Sequence, residues 1–231
     1  ESFPTSSFEM WSQVWNSSWV IGDFIWTNID YIGESAIGYS TQDGDVDQYG
    51  KTLPPFSFHI SYCGDFDIVG HRKPQGIYRQ VLWNVTKMEM VVHRPLANNV
   101  SSIAREQPEW VSRWGWPDEV ESWTWDGYDN TTNMSVRVFT WHCNTVDLRL
   151  NGKSVGKKAV GYDTELIATF SVPYVPGVLR AVCSSDYSIS AVLKTALSPA
   201  KLVVEADRVS VFNDPNELVY VTVAVQDVHG T

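Results

Sequence analysis

A chain of 231 residues, 43% of them hydrophobic, is long enough to form one or two domains with substantial cores. The formal net charge of −10 argues against nucleic acid and anionic membranes as partners, and no apolar run has the length of a membrane span. The eleven tryptophans are a high number for this length. Because the C–H faces of sugars stack on aromatic rings, this content weakly favours a carbohydrate ligand.

The three cysteines form neither a disulfide framework nor a C-x-x-C zinc pair, and the five histidines have no metal-ligand spacing. We therefore predict no metal and no cofactor. Asn-x-Ser/Thr sequons are more informative, because chance predicts only about one or two in such a chain. The five sequons begin at Asn16, Asn84, Asn99, Asn130 and Asn133. They predict a glycoprotein that is secreted or in the secretory pathway, with coincidence in a Ser/Thr-rich chain as the alternative.

The N-terminal part contains a predicted helix and a predicted buried strand. Phe8, Trp11 and Trp15 recur at helical spacing after a capping serine, up to about residue 16. The apolar run at residues 20–26 suits a strand buried on both faces, as in a parallel sheet. The run ends in a polar and aromatic cluster of Trp26, Thr27, Asn28, Asp30, Tyr31 and Glu34. Such strand ends carry the active site in α/β barrels, whereas the simpler interpretation is a core strand followed by a capped loop.

The stretch before residue 70 has no clear periodicity. Aspartates alternate over residues 43–47 as in a calcium loop, but Gln48 and Pro54 stand where an EF-hand needs Gly and Glu. We therefore expect a solvated acidic turn there. Farther along, Pro74 opens a short helix that is predicted to end at Trp83.

From about residue 118 the apolar residues recur with period two, as in half-buried strands. The predicted strands lie at residues 134–140, 146–150, 166–172, 178–183 and 189–195. Asn151-Gly152 is a signature of a two-residue hairpin turn. Short strands at this spacing predict a β-sandwich of immunoglobulin type. Cys143 and Cys183 both lie in it and could pair across its sheets, although their connectivity cannot be read from the sequence.

After Ser198-Pro199 two more strands are predicted, at residues 201–205 and 218–225. Two strands cannot bury a core alone, so we interpret them as the start of a further β domain. Residues 118–197, which carry their own hairpin and alternating strands, are expected to fold autonomously. We expect the whole chain to be a fragment of a longer protein.

Several stretches resemble one enzyme family, in the family's order and over nearly the whole chain. They are Glu1-Ser-Phe-Pro followed by residues 20–27, 30–34, 63–70, 72–75, 78–79, 114–125 and 148–156. These stretches are similar to the end of the catalytic barrel of glycoside hydrolase family 2, the β-galactosidase type, and to the sandwich that follows it. The resemblance implies a mixed α/β plus all-β architecture, with the C-terminal remnant of a (β/α)8 barrel before the sandwich. The implied division is 1–95 barrel, 96–117 linker, 118–197 immunoglobulin-like sandwich and 198–231 the start of a truncated β domain.

The resemblance also implies roles for individual residues. Glu1 matches the nucleophile at the end of the seventh barrel strand, and Trp26 matches the platform of the sugar site on the eighth. Asp30 and Glu34 follow on the loop that lines the pocket. The family's acid/base Glu lies on the fourth strand, upstream of residue 1, so this chain alone is expected to be inactive. Asp65 and Asp67 are more simply explained as loop caps than as catalytic acids.

The resulting hypothesis is part of a retaining exo-β-glycosidase, with a β-linked sugar, most commonly a β-galactoside, as substrate and the rest of the parent chain as partner. The alternative is a non-catalytic module, either a carbohydrate-binding sandwich or a spacer in a secreted protein. A pure binding module would not need barrel strands, which favours the enzyme. The sequence does not indicate an oligomeric state.

Overall fold

The computed structural model describes residues 2–33, 37–41, 59–95 and 109–231. Within those ranges, none of the helices is long and apolar enough to cross a membrane. Four predicted features lie outside the described residues: Glu1, Glu34, the acidic turn at residues 43–47 and the sequon at Asn99.

The first helix forms where the sequence predicts it. A short 3-10 turn (Pro4–Ser6) leads into α1 (Ser7–Asn16). The hydroxyl of Ser7 donates to the Pro4 carbonyl at 2.8 Å, which helps to close this first turn. The apolar face of α1 consists of Phe8, which is buried, and the partly buried Trp11 and Trp15.

The predicted buried strand at residues 20–26 is not observed. Within the described residues, Ile25 makes the single β-bridge of this stretch, and the side chains of Ile21 and Phe24 are 100% and 86% exposed. An apolar run becomes a core strand only where neighbouring layers cover both of its faces. In the described part of the chain this stretch forms a β-bridge only with Ser2, and its other backbone hydrogen bond is the local one from Val20 to Ser17.

The remaining elements, in chain order, are β1 (Ser40–Thr41), α2 (Pro74–Leu82), β2 (Met88–His93), β3 (Trp110–Val111), β4 (Glu119–Val120), β5 (Asn133–Thr140), β6 (Thr145–Leu150), β7 (Lys153–Ala159), β8 (Ile167–Pro173), β9 (Val178–Cys183), β10 (Ser190–Lys194), β11 (Lys201–Ala206) and β12 (Val221–Gln226). A 3-10 turn (Tyr162–Thr164) lies between β7 and β8, and β1 pairs with β3. Helix α2 confirms the short helix predicted from Pro74. Strands β5, β6, β8, β9 and β10 confirm the five predicted sandwich strands.

Two antiparallel sheets face each other and enclose the main core. One has the strand order β4-β2-β5-β8, and the other has the order β10-β9-β6-β7. Alternate residues of β5, namely Met134, Val136 and Val138, are buried between the sheets, where Leu148 of β6 faces them. The predicted β-sandwich is therefore confirmed, and period-two burial is its physical basis.

The sandwich begins earlier than residue 118, the start predicted from the sequence. Strand β2 pairs with both β4 and β5 and is therefore interior to its sheet. Met90 and Val92 of β2 are buried in the main core, and Val91 is buried on the opposite face. The predicted division placed this strand with residues 1–95, although Met88, Met90 and Val92 alternate with Glu89 and His93.

One hairpin turn and one disulfide fix the ends of the sandwich strands. Asn151 and Gly152 both have positive φ, 50° and 82°, as the predicted hairpin turn between β6 and β7 requires. The Asn151 side chain accepts the N–H of Val178 at 2.9 Å, which ties this turn to the start of β9. Cys143 and Cys183 form a disulfide that links the β5–β6 connection to the end of β9.

A second, smaller core joins α2 to the outer face of the β2–β5 sheet. Tyr78 and Val81 of α2 are buried against Val91 of β2 and Phe139 of β5. The Tyr78 hydroxyl donates to the carbonyl of Glu165 at 2.6 Å, at the entry to β8. The helix and the sandwich therefore share packed side chains and are not joined by a linker alone.

Strands β11 and β12 form a two-stranded antiparallel ribbon after the sandwich. Apolar side chains on the ribbon are exposed, among them Leu202 at 69% and Val223 at 60%. The carboxylate of Asp227, just after β12, accepts N–H groups of Leu197, His229 and Thr231 at 2.8 to 3.0 Å. The two predicted strands are confirmed, and their interpretation as the start of a further domain remains a prediction.

Candidate functional site

Trp26, the predicted sugar platform, lies where two chain segments run side by side. The N–H of Ser2 donates to Phe24 O at 2.8 Å and the N–H of Trp26 donates to Ser2 O at 3.1 Å, so Ser2 pairs in parallel with Ile25. Helix α1 forms the crossover between the two segments. Trp26 is 42% exposed, and the peptide bond between Trp26 and Thr27 is cis. A wide apolar ring is thus accessible at this point.

The loop after Trp26 is held against residues 60–66 by backbone hydrogen bonds. Asp30 donates its N–H to Phe66 O at 2.9 Å, and Asp65 donates to Thr27 O at 3.0 Å. The backbones approach so closely that a Cβ on Gly64 would lie 2.2 Å from the Asp30 nitrogen. Position 64 therefore requires glycine, and the loop is fixed by backbone contacts rather than by its side chains alone.

Asp30, predicted to line the sugar pocket, is 6% exposed and bound on several sides. Its carboxylate oxygens lie 2.9 and 3.0 Å from Lys73 Nζ, and Oδ1 accepts the N–H of Gly64 at 2.7 Å. Burial brings the pKa of Asp30 above its ordinary value of 3.8, because it outweighs the Lys73 ammonium and the Gly64 N–H, which both lower the pKa. The side chain holds the loop in place, and a direct role in sugar binding stays a prediction.

Asp65 forms the buried ion pair of this region. Arg79 Nε lies 2.6 Å from Asp65 Oδ2, and Arg79 Nη1 donates to Ser2 Oγ at 3.0 Å. The side chains of Asp65 and Arg79 are 5% and 2% exposed. The capping role expected for Asp65 is wrong, because its side chain pairs with α2. Through Arg79 this pair connects α2 to Ser2, beside the Trp26 segment.

Asp67 has the capping role that the sequence predicts. Its Oδ1 accepts the N–H groups of Val69 and His71 at 3.0 and 2.8 Å, which closes a tight turn. Burial alone would raise the pKa of Asp67, but these two N–H groups and the His71 side chain bring it below its ordinary value. Asp67 therefore shapes the loop before α2 as an ionised acceptor.

Of the four predicted site residues, the structure describes two, Trp26 and Asp30, four positions apart on one loop. The residues that sequence reasoning missed are Lys73 and Arg79, the cations that neutralise Asp30 and Asp65. A signal was present, because Arg79 is a charged residue on a helix whose neighbours Tyr78, Val81 and Leu82 are all apolar or aromatic. Charged side chains are buried only when paired.

A cleft of about 590 Å³ lies between the start of α2 and the strand β4. It is lined by charged and aromatic side chains, which include Tyr39, Tyr62, Asp67, Arg72, Lys73, Arg94, Trp116, Asp118 and Glu121. Ion pairs within it join Arg94 to Asp118 at 3.0 Å and Arg72 to Glu121 at 3.7 Å. Among the described residues no group of three or more His, Cys, Asp and Glu could hold a metal ion.

Comparisons with known proteins find one family model and several similar proteins. A family model described as a domain of unknown function (DUF4982) matches residues 131–186, which contain β5 to β9. The chain is 25% identical over 217 residues to the β-galactosidase BoGH2A of Bacteroides ovatus, and the match covers 93% of this chain and 20% of that protein.

Solved structures give the same result over the full chain. A glycosyl hydrolase family 2 member from Bacteroides cellulosilyticus has 32% identity and a TM-score of 0.79, covering 100% of this chain and 28% of that one. A β-glycosidase from Bacteroides vulgatus shares the fold at 19% identity, with a TM-score of 0.60, 97% coverage of this chain and 23% of that one. This chain thus spans between a fifth and somewhat over a quarter of these relatives. The resemblance indicated by the sequence motifs is confirmed: the chain is homologous to a part of the glycoside hydrolase family 2 proteins.

Proposed function

We propose that this chain is the end of the catalytic barrel, with the following sandwich, of a retaining exo-β-glycosidase. The observation that carries the proposal is the similarity of this whole chain to part of a family 2 glycosyl hydrolase, at 32% identity. A β-galactoside is the proposed substrate class, supported by the motifs in the sequence and by the 25% identity to a β-galactosidase.

The pairing of Ser2 with Ile25 supports the barrel part of the proposal. Parallel neighbours need a crossover, and here α1 supplies it, which is the connection expected between the seventh and eighth barrel strands. A second parallel bridge joins Ile29 to Phe66. The exposed face of residues 20–26 would then be covered by barrel layers that the rest of the parent protein provides.

In the proposed mechanism Glu1 attacks the anomeric carbon of the sugar and forms a glycosyl-enzyme. A second carboxyl group, about 5 to 5.5 Å away, protonates the leaving group and then activates water. We expect that group upstream of this chain, so the chain alone should hydrolyse nothing. Glu1 must be ionised to attack, which requires a polar, hydrogen-bonded setting.

Trp26 is the proposed floor of the sugar site. Its accessible ring offers an apolar face for the C–H side of the substrate, which would fix the anomeric carbon for attack. Asp30 contributes by holding the loop through Lys73 and Gly64. Glu34 is proposed to complete the lining of the pocket on the same loop.

The experiment uses the full-length parent enzyme. Trapping with a 2-fluoro β-galactoside, followed by peptide mapping, should label the peptide that contains Glu1. Replacing Glu1 by Gln keeps the shape but removes the attacking charge, and should lower kcat by several orders of magnitude. Trp26→Ala should raise KM and lower kcat together.

Glu205→Gln, on the exposed ribbon, is the matched control and should leave the rate unchanged. A label on any other peptide, or product of inverted configuration, would refute the nucleophile assignment. Turnover of β-glucuronides or β-mannosides in place of β-galactosides would change the substrate class and leave the mechanism standing.

A further inference from the structure

Four tryptophans form one surface patch where α1 and α2 meet the sandwich. Trp11 and Trp15 are four residues apart on α1 and therefore lie on one face of the helix. Trp83 follows the last residue of α2 and packs on Trp11 with ring centroids 5.8 Å apart. Trp141, in the β5–β6 turn, packs on Trp15 with ring centroids 4.6 Å apart. We call these four residues the tryptophan patch.

The patch is accessible to solvent and has polar groups along its edge. The side chains of Trp83 and Trp141 are 40% and 42% exposed. Asn84 lies next to Trp83, and its Oδ1 is hydrogen bonded to His142 Nε2, next to Trp141. At the other end, Nδ2 of Asn16 donates to the Tyr162 hydroxyl at 3.3 Å. Amide side chains therefore border a broad aromatic surface on two sides.

Both bordering amides begin sequons, Asn16-Ser-Ser18 and Asn84-Val-Thr86. Both asparagines are exposed, and the amide nitrogen of Asn84 is not the atom that bonds His142. The disulfide between Cys143 and Cys183 is an independent sign of an oxidising compartment, where N-glycosylation also takes place. The two sequons therefore put sites of glycan attachment next to aromatic rings on which sugars can stack.

We propose that Asn84 and Asn16 carry N-linked glycans and that the first sugars of these glycans cover the tryptophan patch. In the modification, Nδ2 attacks C1 of a lipid-pyrophosphate-linked oligosaccharide. The C1–N bond forms and the C1–O bond breaks, so that the lipid pyrophosphate departs with the electron pair of that bond, and one proton of the amide nitrogen passes to a base. The attached sugars then place their C–H faces on Trp83 and Trp141. The cover removes apolar ring surface from water without a protein partner.

The test uses the full-length parent protein, purified from a host that secretes and glycosylates it. Peptide mass mapping with and without enzymatic deglycosylation should find glycans at Asn84 and Asn16. Hydroxyl-radical footprinting, which reports on single residues, should then show severalfold faster oxidation of Trp83 and Trp141 after deglycosylation. Thr86→Ala and Ser18→Ala remove the sequons and keep both asparagines, so a fold defect caused by replacing Asn84, whose φ is 59°, is avoided.

Asn130→Gln is the matched control, because Asn130 is an exposed sequon asparagine in the loop before β5. Its loss should leave oxidation of Trp83 and Trp141 unchanged. Unmodified Asn84 and Asn16 would overturn the proposal, and so would a glycan at Asn84 that leaves oxidation of Trp83 unaltered. Protection of the patch by a soluble oligosaccharide in the Thr86→Ala, Ser18→Ala protein would assign it to a free ligand instead.

Discussion

The sandwich and the N-terminal segment use similar apolar residues with opposite results. Val136, Val138 and Leu148 are fully buried between two sheets, whereas Ile21 is 100% exposed. The difference is not in the side chains but in the layers around them. Two four-stranded sheets cover each other in the sandwich, while among the described residues Ser2 alone forms a β-bridge with residues 20–26. An apolar sequence pattern therefore predicts that a segment must be buried. The topology determines whether this chain contains the layers that bury it.

The largest effect is expected when β2 is removed from the sandwich. A fragment of residues 118–197, which the sequence marks as autonomous, lacks the strand that lies between β4 and β5. We expect that fragment to fail to fold, because it would expose the edge of β5 and the apolar side chains that face β2. A fragment of residues 86–197 should unfold cooperatively in urea. Cooperative unfolding of the shorter fragment would contradict the role given to β2.

The N-terminal region depends on one buried ion pair, so we predict a large effect of removing one partner. Arg79→Met should destabilise the chain by about 3 to 5 kcal/mol, because Asp65 would remain buried without its cation. The urea midpoint of unfolding measures this loss. Arg208→Met removes an exposed pair with Glu217 and should cost about 1 kcal/mol or less. Equal effects of the two replacements would refute the structural role of Arg79.

Matched truncations of aliphatic side chains compare the two regions directly. Leu148→Ala in the sandwich core should cost about 2 to 5 kcal/mol, because it leaves a cavity between closed sheets. Ile21→Ala should change the stability of this chain by no more than about 0.5 kcal/mol, since the side chain is already in water. Thermal unfolding of both variants against the unmodified chain is the measurement. A large loss for Ile21→Ala would mean that the segment is covered.

The smallest expected effect depends on pH and concerns the end of β2. His93 Nε2 lies 2.8 Å from Glu109 Oε2. Burial lowers the pKa of His93, but Glu109, Glu119 and the Arg94 carbonyl outweigh it and bring the pKa above its ordinary value of 6.5. Since the folded pKa is raised, the stabilisation is present below pH 6.5 and is lost as the pH rises through the folded pKa.

Glu109 has the opposite shift. Burial raises its pKa, but the His93 ring and the N–H of Asp118 bring the pKa below the ordinary 4.5. The pair is therefore most favourable in mildly acidic solution. His93→Gln should cost about 1 kcal/mol or less near pH 6 and almost nothing well above neutral pH. The same replacement at the 75% exposed His71 serves as the control, and a loss at His93 that does not vary with pH would contradict the pairing.

The parts of the fold that follow from local rules could be predicted from sequence. The alternation in β5 and β6 and the Asn151-Gly152 turn depend on a few neighbouring residues, and all are observed. Strand β2 alternates Met88, Met90 and Val92 with Glu89 and His93, but Val91 interrupts this short pattern, and its pairing with β5 depends on residues distant in the chain. Strand β7 was missed because its residues are nearly all exposed and show no apolar alternation from Lys153 onward.

The candidate site was less predictable because it depends on contacts between distant residues. The accessible Trp26 agrees with a platform role that family motifs alone suggest. The pairing of Asp30 with Lys73 joins residues 43 positions apart, and the pairing of Asp65 with Arg79 joins residues 14 positions apart. Both pairs depend on how two loops pack with α2. The apolar neighbours of Arg79 signal that it is paired, but no local pattern identifies the partner, so a carboxylate that holds a loop cannot be told from one that contacts substrate.

The carboxylate of Asp227 ties together the two ends of the C-terminal ribbon. It binds Leu197, before the ribbon, together with His229 and Thr231, after it, and so fastens both legs of the hairpin at one point. These N–H groups lower the pKa of Asp227 to about 2, so the fastening holds down to strongly acidic solution. The two ends of the ribbon are therefore held together at its base. Because Leu197 follows β10 in the chain, a force applied to either strand of the ribbon reaches β10 through this shared attachment.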